Sequence, residues 1–238
     1  MSGPGLKRAL RDFIEHGTGE FEDLALRLWA HQMLENADYA AICGEFKPGD
    51  WTALPAVPVA LYRHLTLTSF PPDQASVVFR TSGTTGARGV VRLRSTELYD
   101  LGARAHAEAV VGPIPRWGVS LVPHAVDSSL GHMCAAFCPD MVRCFSATGT
   151  DVAGAWAALE ERAATGRPLF VPGTAFALAT LVATRTTPVV LPPGSVVMVT
   201  GGFKGRLVSL SAEGLRDRLR TLLPGARPQP CSVPAGSS

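Results

Sequence analysis

The chain has 238 residues, 46% of them hydrophobic and 18% charged, with a formal net charge of +2. That composition is ordinary for a folded core of one large domain or two small ones. The nearly balanced charge gives no case for nucleic acid or an acidic membrane as the main partner, and no apolar run is long enough to span a bilayer.

The N-terminus is polar, with Lys7, Arg8, Arg11, Asp12 and Glu15, and carries no secretory signal. Residues 20–39 read as one amphipathic helix, with Phe21, Leu24, Ala25 and Leu28 at helical spacing and Glu20, Glu22 and Asp23 in its first turn. A proline-punctuated connection covers 48–58. Strands follow at 76–79 and 89–93, and a helix capped by Ser95 or Thr96 runs toward Val110. The second half alternates. Strands are expected at 118–122, 141–145, 169–171 and 195–200. Helices are expected at 128–137, 152–164, 175–183 and 211–223. This alternation predicts an α/β fold with helices packed over a sheet. Beyond Leu223 the chain turns rich in Pro, Gly and Ser, so residues 224–238 are expected to be a disordered tail.

The five cysteines, Cys43, Cys134, Cys138, Cys144 and Cys231, form no disulfide framework and suit a reducing cytoplasm. His132 with Cys134, Cys138 and Cys144 lacks a paired Cys-x-x-Cys spacing in an apolar segment. These cysteines read as buried and structural, and no metal site is expected from them.

The most informative stretch lies between the strands at 76–79 and 89–93: Arg80-Thr81-Ser82-Gly83-Thr84-Thr85-Gly86. Gly83 and Gly86 allow close approach of a ligand to the main chain. Free N–H groups in such a loop form an anion-binding concavity. Thr81, Ser82, Thr84 and Thr85 add hydroxyl donors, and Arg88 adds a cationic fork. A polar hairpin turn without a ligand would use the same residue types. The run of six such residues favours a phosphate site. It is neither a Walker loop nor a dinucleotide fingerprint, because no Gly-Lys-Ser/Thr follows and no helix opens from it.

Thr81-Ser82-Gly83-Thr84-Thr85-Gly86 resembles the phosphate loop of acyl-adenylate-forming enzymes. Other segments narrow the resemblance to acyl-protein synthetases of the LuxE type. They are Phe21-Glu22-Asp23-Leu24-Ala25-Leu26, Gln32, Asn36-Ala37-Asp38-Tyr39, Leu54-Pro55-Ala56-Val57-Pro58-Val59, Asp127-Ser128-Ser129-Leu130 and Thr200-Gly201-Gly202-Phe203-Lys204-Gly205. The resemblance implies a large N-terminal adenylation-type domain over residues 1–223, with a mixed sheet flanked by helices, incomplete at its C-terminal end.

It further implies ATP and Mg2+ as cofactors and a fatty or other carboxylic acid as substrate. The acid would be activated to acyl-AMP and passed to a protein thiol. Gly201, Gly202 and Lys204 would then contribute to nucleotide binding, and His124, Ser128 and His132 to the acyl site. From the residues alone, Gly201-Gly202 is equally a tight turn, and Asp127-Ser128-Ser129 is more simply a helix cap. The family's later motifs have no counterpart after Leu223: a Tyr-Gly-Met-Thr-Glu-type segment with its metal-binding Glu, a ribose-binding Asp, a catalytic Lys and an acyl-accepting Cys. The expectation is therefore a truncated or split form, working with a second chain or an acyl-accepting reductase. The alternative is a non-catalytic nucleotide-binding or interaction protein.

Overall fold

The computed structural model describes residues 3–81, 87–146, 149–201 and 210–230. They fall into two compact units, the first comprising Met1–His106 with Asp127–Ser129, the second Ala107–Val126 with the chain from Leu130.

The first unit opens with helix α1 (Gly3–His16), followed by α2 (Phe21–Glu35) and α3 (Ala37–Cys43). The sequence reading has no α1, although Leu6, Leu10, Phe13 and Ile14 recur at helical spacing in it. The single helix expected over 20–39 is broken at Asn36. That residue has extended backbone angles (φ −122°, ψ 94°), and its Oδ1 accepts the Tyr39 amide hydrogen, capping α3. The neighbouring Asp38 and Tyr39 also have structural tasks. Asp38 accepts from the Thr66 N–H at 3.0 Å, and the Tyr39 hydroxyl donates to the Pro55 carbonyl at 3.0 Å. Burial and a hydrogen bond with Cys43 push the Tyr39 phenol up to about 12.

Strands β1 (Val77–Arg80) and β2 (Val90–Leu93) form an antiparallel hairpin in the register Val77–Leu93 to Arg80–Val90. Helix α4 (Glu97–Val111) follows. Its Tyr99 ring lies 5.6 Å from that of the buried Phe79, and its Glu97 takes ion pairs from Lys7 and Arg11. These contacts tie α1 and the hairpin to one helix.

The second unit contains strand β3 (Trp117–Ser120), helix α5 (Ser129–Phe137, entering from Leu130) and strand β4 (Asp140–Arg143). A short antiparallel pair, β5 (Phe145–Ser146) and β6 (Gly149–Thr150), leads to helix α6 (Val152–Ala163). Then come β7 (Phe170–Thr174), α7 (Ala175–Ala183), β8 (Val196–Thr200), α8 (Ala212–Leu222) and β9 (Arg227–Pro230). Five of these strands make one parallel sheet in the order β4-β3-β7-β8-β9. The α/β class is as expected, with parallel and antiparallel strands in separate sheets.

The core of this unit joins the sheet to its helices. Val119, Val171 and Val197 from the strands meet Leu159, Leu178, Leu181, Leu215 and Leu219 from α6, α7 and α8. The caps are local. Asp151, Thr174 and Ser211 each accept a backbone N–H three residues on, at the starts of α6, α7 and α8.

Residues 224–230, expected as part of a disordered tail, are placed against the sheet. The Pro224 carbonyl accepts the Leu191 N–H at 2.8 Å, and Arg227–Pro230 pairs in parallel with β8. Gly225 makes this return possible. Its φ is +90°, and a Cβ there would lie 2.1 Å from the Leu191 carbonyl oxygen. β9 was illegible because Arg-Pro-Gln-Pro opposes strand propensity. As the last strand of the sheet it tolerates prolines, since an edge position leaves N–H groups without ladder duty. Residues 231–238 lie outside the described residues.

Candidate functional site

The first candidate site is the mouth of the β1–β2 hairpin. The pairing continues one step past β1, where the Thr81 N–H donates to the Gly89 carbonyl at 2.9 Å. The Gly89 N–H returns to the Thr81 Oγ1, also at 2.9 Å. Thr81 and Gly89 therefore fix the spacing of the two chains at this end of the hairpin. Since the Thr81 hydroxyl accepts from Gly89, its own proton is left for another acceptor. Ser82, Gly83, Thr84, Thr85 and Gly86 lie outside the described residues.

Arg88 stands at the exit of the loop. Its Nε donates to the Thr81 carbonyl at 2.7 Å, its Nη1 to Asp127 Oδ2 at 3.0 Å, and its Nη2 reaches the Arg80 carbonyl at 3.4 Å. Asp127 adds a backbone contact, accepting the Arg80 N–H at 2.9 Å. Its carboxylate also lies 3.8 Å from Arg80 Nη1. One carboxylate thus faces two guanidinium groups at the base of the loop. Asp127 was expected to cap a helix, so the sequence reading missed its place here. With 39 residues between it and Arg88, no local pattern could have revealed the pairing.

Among the described residues the Arg88 nitrogens at this mouth are taken by protein oxygens, and the Thr81 hydroxyl accepts from Gly89. Among the described residues the carboxylate at this mouth is Asp127, and a metal there would compete with two guanidinium groups already satisfying it.

The second candidate region is the C-terminal edge of the parallel sheet in the second unit. In chain order the strands run 2-1-3-4-5 across the sheet, so the order reverses between β3 and β7. Open α/β sheets bind ligands outside the strand ends at such a reversal. The Leu121 N–H donates to the Pro172 carbonyl at 2.8 Å there, prolonging the pairing of the two strands.

His124 lies just beyond β3. Its Nε2 is 2.8 Å from the hydroxyl of Ser120, which is fully buried. A second hydrogen bond joins the ring to the Gly131 backbone. Burial first, and then the Arg143 charge, hold the imidazole below its ordinary value, against the opposing effect of the Gly131 bond. His124 is therefore held on two sides, with its protonated form disfavoured.

Ser128 belongs to the first unit, and His124 and His132 to the second. His132 is half-buried on α5. Gly201 follows buried Thr200 at the end of β8. It is exposed with φ +67°, and space is open where a Cβ would point. That conformation is a turn that favours glycine. Gly202 and Lys204 lie outside the described residues.

A cavity of about 260 Å³ lies at the opposite, N-terminal end of the strands, lined by Val111, Ile114, Pro168, Gly194 and Val196 among others. It holds no titratable side chain, so it offers no acid, base or nucleophile. Cys43, Cys134, Cys138 and Cys144 are buried thiols outside any disulfide, and burial with the Asp151 charge pushes the Cys144 thiol up. Among the described residues no His, Cys, Asp and Glu cluster could hold a metal ion, and no helix is long and apolar enough to cross a membrane.

No protein-family model matches the chain, and no curated protein does. Among solved structures, the chain is similar to the crystal structure of VinN, at 18% identity and a TM-score of 0.43. The likeness covers 67% of this chain and 36% of that one. At that identity and score it bears on no residue and no activity.

Proposed function

We propose that this chain binds ATP through the loop between β1 and β2 and takes part in activating a carboxylic acid as acyl-AMP, for transfer to a protein thiol. The observation that carries the reading is the built mouth of the loop. A hydroxyl- and glycine-rich segment leaves a hairpin whose two sides are fixed by reciprocal Thr81–Gly89 hydrogen bonds. The resemblance of residues 81–86 to the phosphate loop of LuxE-type acyl-protein synthetases supplies the substrate class.

ATP would supply the phosphoryl electrophile and the pyrophosphate leaving group. The chain's part is to orient the triphosphate. Loop N–H groups and the Thr81, Ser82, Thr84 and Thr85 hydroxyls donate to phosphate oxygens, while Arg88 holds the loop's ends together. His124, held on two sides, and His132 are the acyl-site candidates of the second unit, and Ser128 is a separate candidate in the first. Free cysteines suit a cytoplasmic setting. The acyl acceptor, and any second chain that completes the reaction, are parts of the same proposal.

A second reading is nucleotide binding without catalysis. It is favoured by the commitment of Arg88 to Asp127 and two backbone carbonyls, which leaves that cation partly neutralised.

Calorimetric titration with ATP tests the shared part. Replacing Thr84 and Thr85 with Ala should weaken binding, each lost donor to a charged phosphate being worth roughly 1.5–3 kcal/mol. Equal affinity in the double variant removes this loop as the contact. Carboxylic-acid-dependent exchange of pyrophosphate into ATP separates the two readings. Exchange supports activation, and ATP binding without exchange, even with a completing chain added, supports the second.

A further inference from the structure

We infer that Asp127 is a positioning residue for the nucleotide loop, and that it acts through Arg88. This rests on the ATP-binding reading above. Three observations combine. The Asp127 carboxylate takes Arg88 Nη1 at 3.0 Å. The same guanidinium spans two carbonyls at the loop's entrance, those of Thr81 and Arg80. The Asp127 backbone carbonyl also holds the Arg80 N–H at 2.9 Å. Asp127 thus grips the entering strand by its main chain and the exit residue by its side chain.

The geometry gives Arg88 the work of a clamp. Each of its three nitrogens already points at a protein oxygen, two at backbone and one at carboxylate. A planar fork can join three acceptors in a fixed arrangement, and a lysine ammonium of equal charge cannot reproduce that fork. If Arg88 served simply as a charge for the phosphates, lysine would substitute well. If it serves as a clamp, lysine fails although the charge is kept. Asp127 then sets the guanidinium's orientation, and the neutral asparagine weakens the grip by removing a charge-assisted bond.

The test uses the full chain and ATP as the probe, in calorimetric titrations of the wild type, Arg88→Lys, Asp127→Asn and the double variant. Each single variant should bind ATP about tenfold more weakly or worse, the scale of one charge-assisted hydrogen bond. The double variant should lose little beyond the worse single one, because the two residues act as a unit. Thermal unfolding is measured in parallel. A merely structural role would lower the midpoint and leave the affinity of the folded protein unchanged.

Amide exchange at Thr81 and Gly89 without nucleotide is the second readout, and should quicken about tenfold in Asp127→Asn for the same reason. Wild-type affinity in Asp127→Asn overturns the positioning role, and wild-type affinity in Arg88→Lys overturns the clamp. If the wild type itself binds no ATP, the functional reading and the positioning role fall together. Faster exchange would then leave the clamp standing as structure, and unchanged exchange would remove it too.

Discussion

The two units bury their apolar residues very differently. In the second, one continuous core draws on the strands and on α6, α7 and α8, with Leu159, Leu178, Leu181, Leu215, Leu219 and Leu222 all fully buried. In the first, the buried apolar side chains among the described residues are Leu6, Leu24, Cys43 and Phe79. That unit instead leaves Phe21, Leu34, Phe46, Trp51 and Val59 exposed, Leu34 at 83% and Val59 at 70%. Phe21 and Trp51 stack edge-on with centroids 5.1 Å apart, which shields part of each ring. The lesson is a division of labour. Hydrophobic burial fixes the parallel sheet, whereas hydrogen bonds and ion pairs fix the mouth of the hairpin. Burial tolerates changes of salt, while exposed ion pairs are screened by it.

The largest effect should come from truncating the second unit's core. Leu178 is fully buried and packs under Gly173, where a Cβ would meet Leu178 Cγ at 2.6 Å. Leu178→Ala should cost roughly 2–5 kcal/mol, toward the upper end because a rigid sheet cannot collapse into the void. Leu24→Ala in the first unit should cost less, since Leu24 has few buried apolar neighbours in its unit. Urea denaturation of both variants measures the pair. Equal losses would break the contrast between the units.

A smaller effect concerns His124. Its folded-state value lies below the ordinary 6.5, so the unfolded chain takes up the proton more readily. The stability this provides is present above the ordinary value and is lost as pH falls from there through the folded value. Wild-type stability should therefore drop between pH 7.5 and 5.5 more steeply than that of His124→Gln. Identical urea midpoints against pH in the two proteins would show that the ring's burial and the nearby Arg143 do not govern its titration.

The same contrast explains what could be read from the sequence. Helices α6, α7 and α8 and strands β7 and β8 were legible to within a few residues. Each couples an apolar run to a local cap or turn, such as Asp151, Thr174 or Ser211. The β1–β2 hairpin was legible for the same reason, two β-type runs around a glycine-rich loop. What escaped depends on partners distant in the chain or on exceptions to propensity. Asp127 looks like a cap until its carboxylate is seen beside Arg88. Asn36 looks like a helix interior until its side chain is seen capping Tyr39. Arg227–Pro230 looks like a tail until Gly225 is seen passing against Leu191.

The central claim is that nucleotide binds at the hairpin mouth of the first unit. Hydrogen-exchange mass spectrometry with and without ATP tests it most directly, because exchange reports peptide by peptide. ATP should slow exchange in peptides covering residues 77–93 and 127–129, and change it little in those covering α6 and α8. Protection confined to peptides of the parallel sheet, with residues 77–93 unchanged, would contradict it.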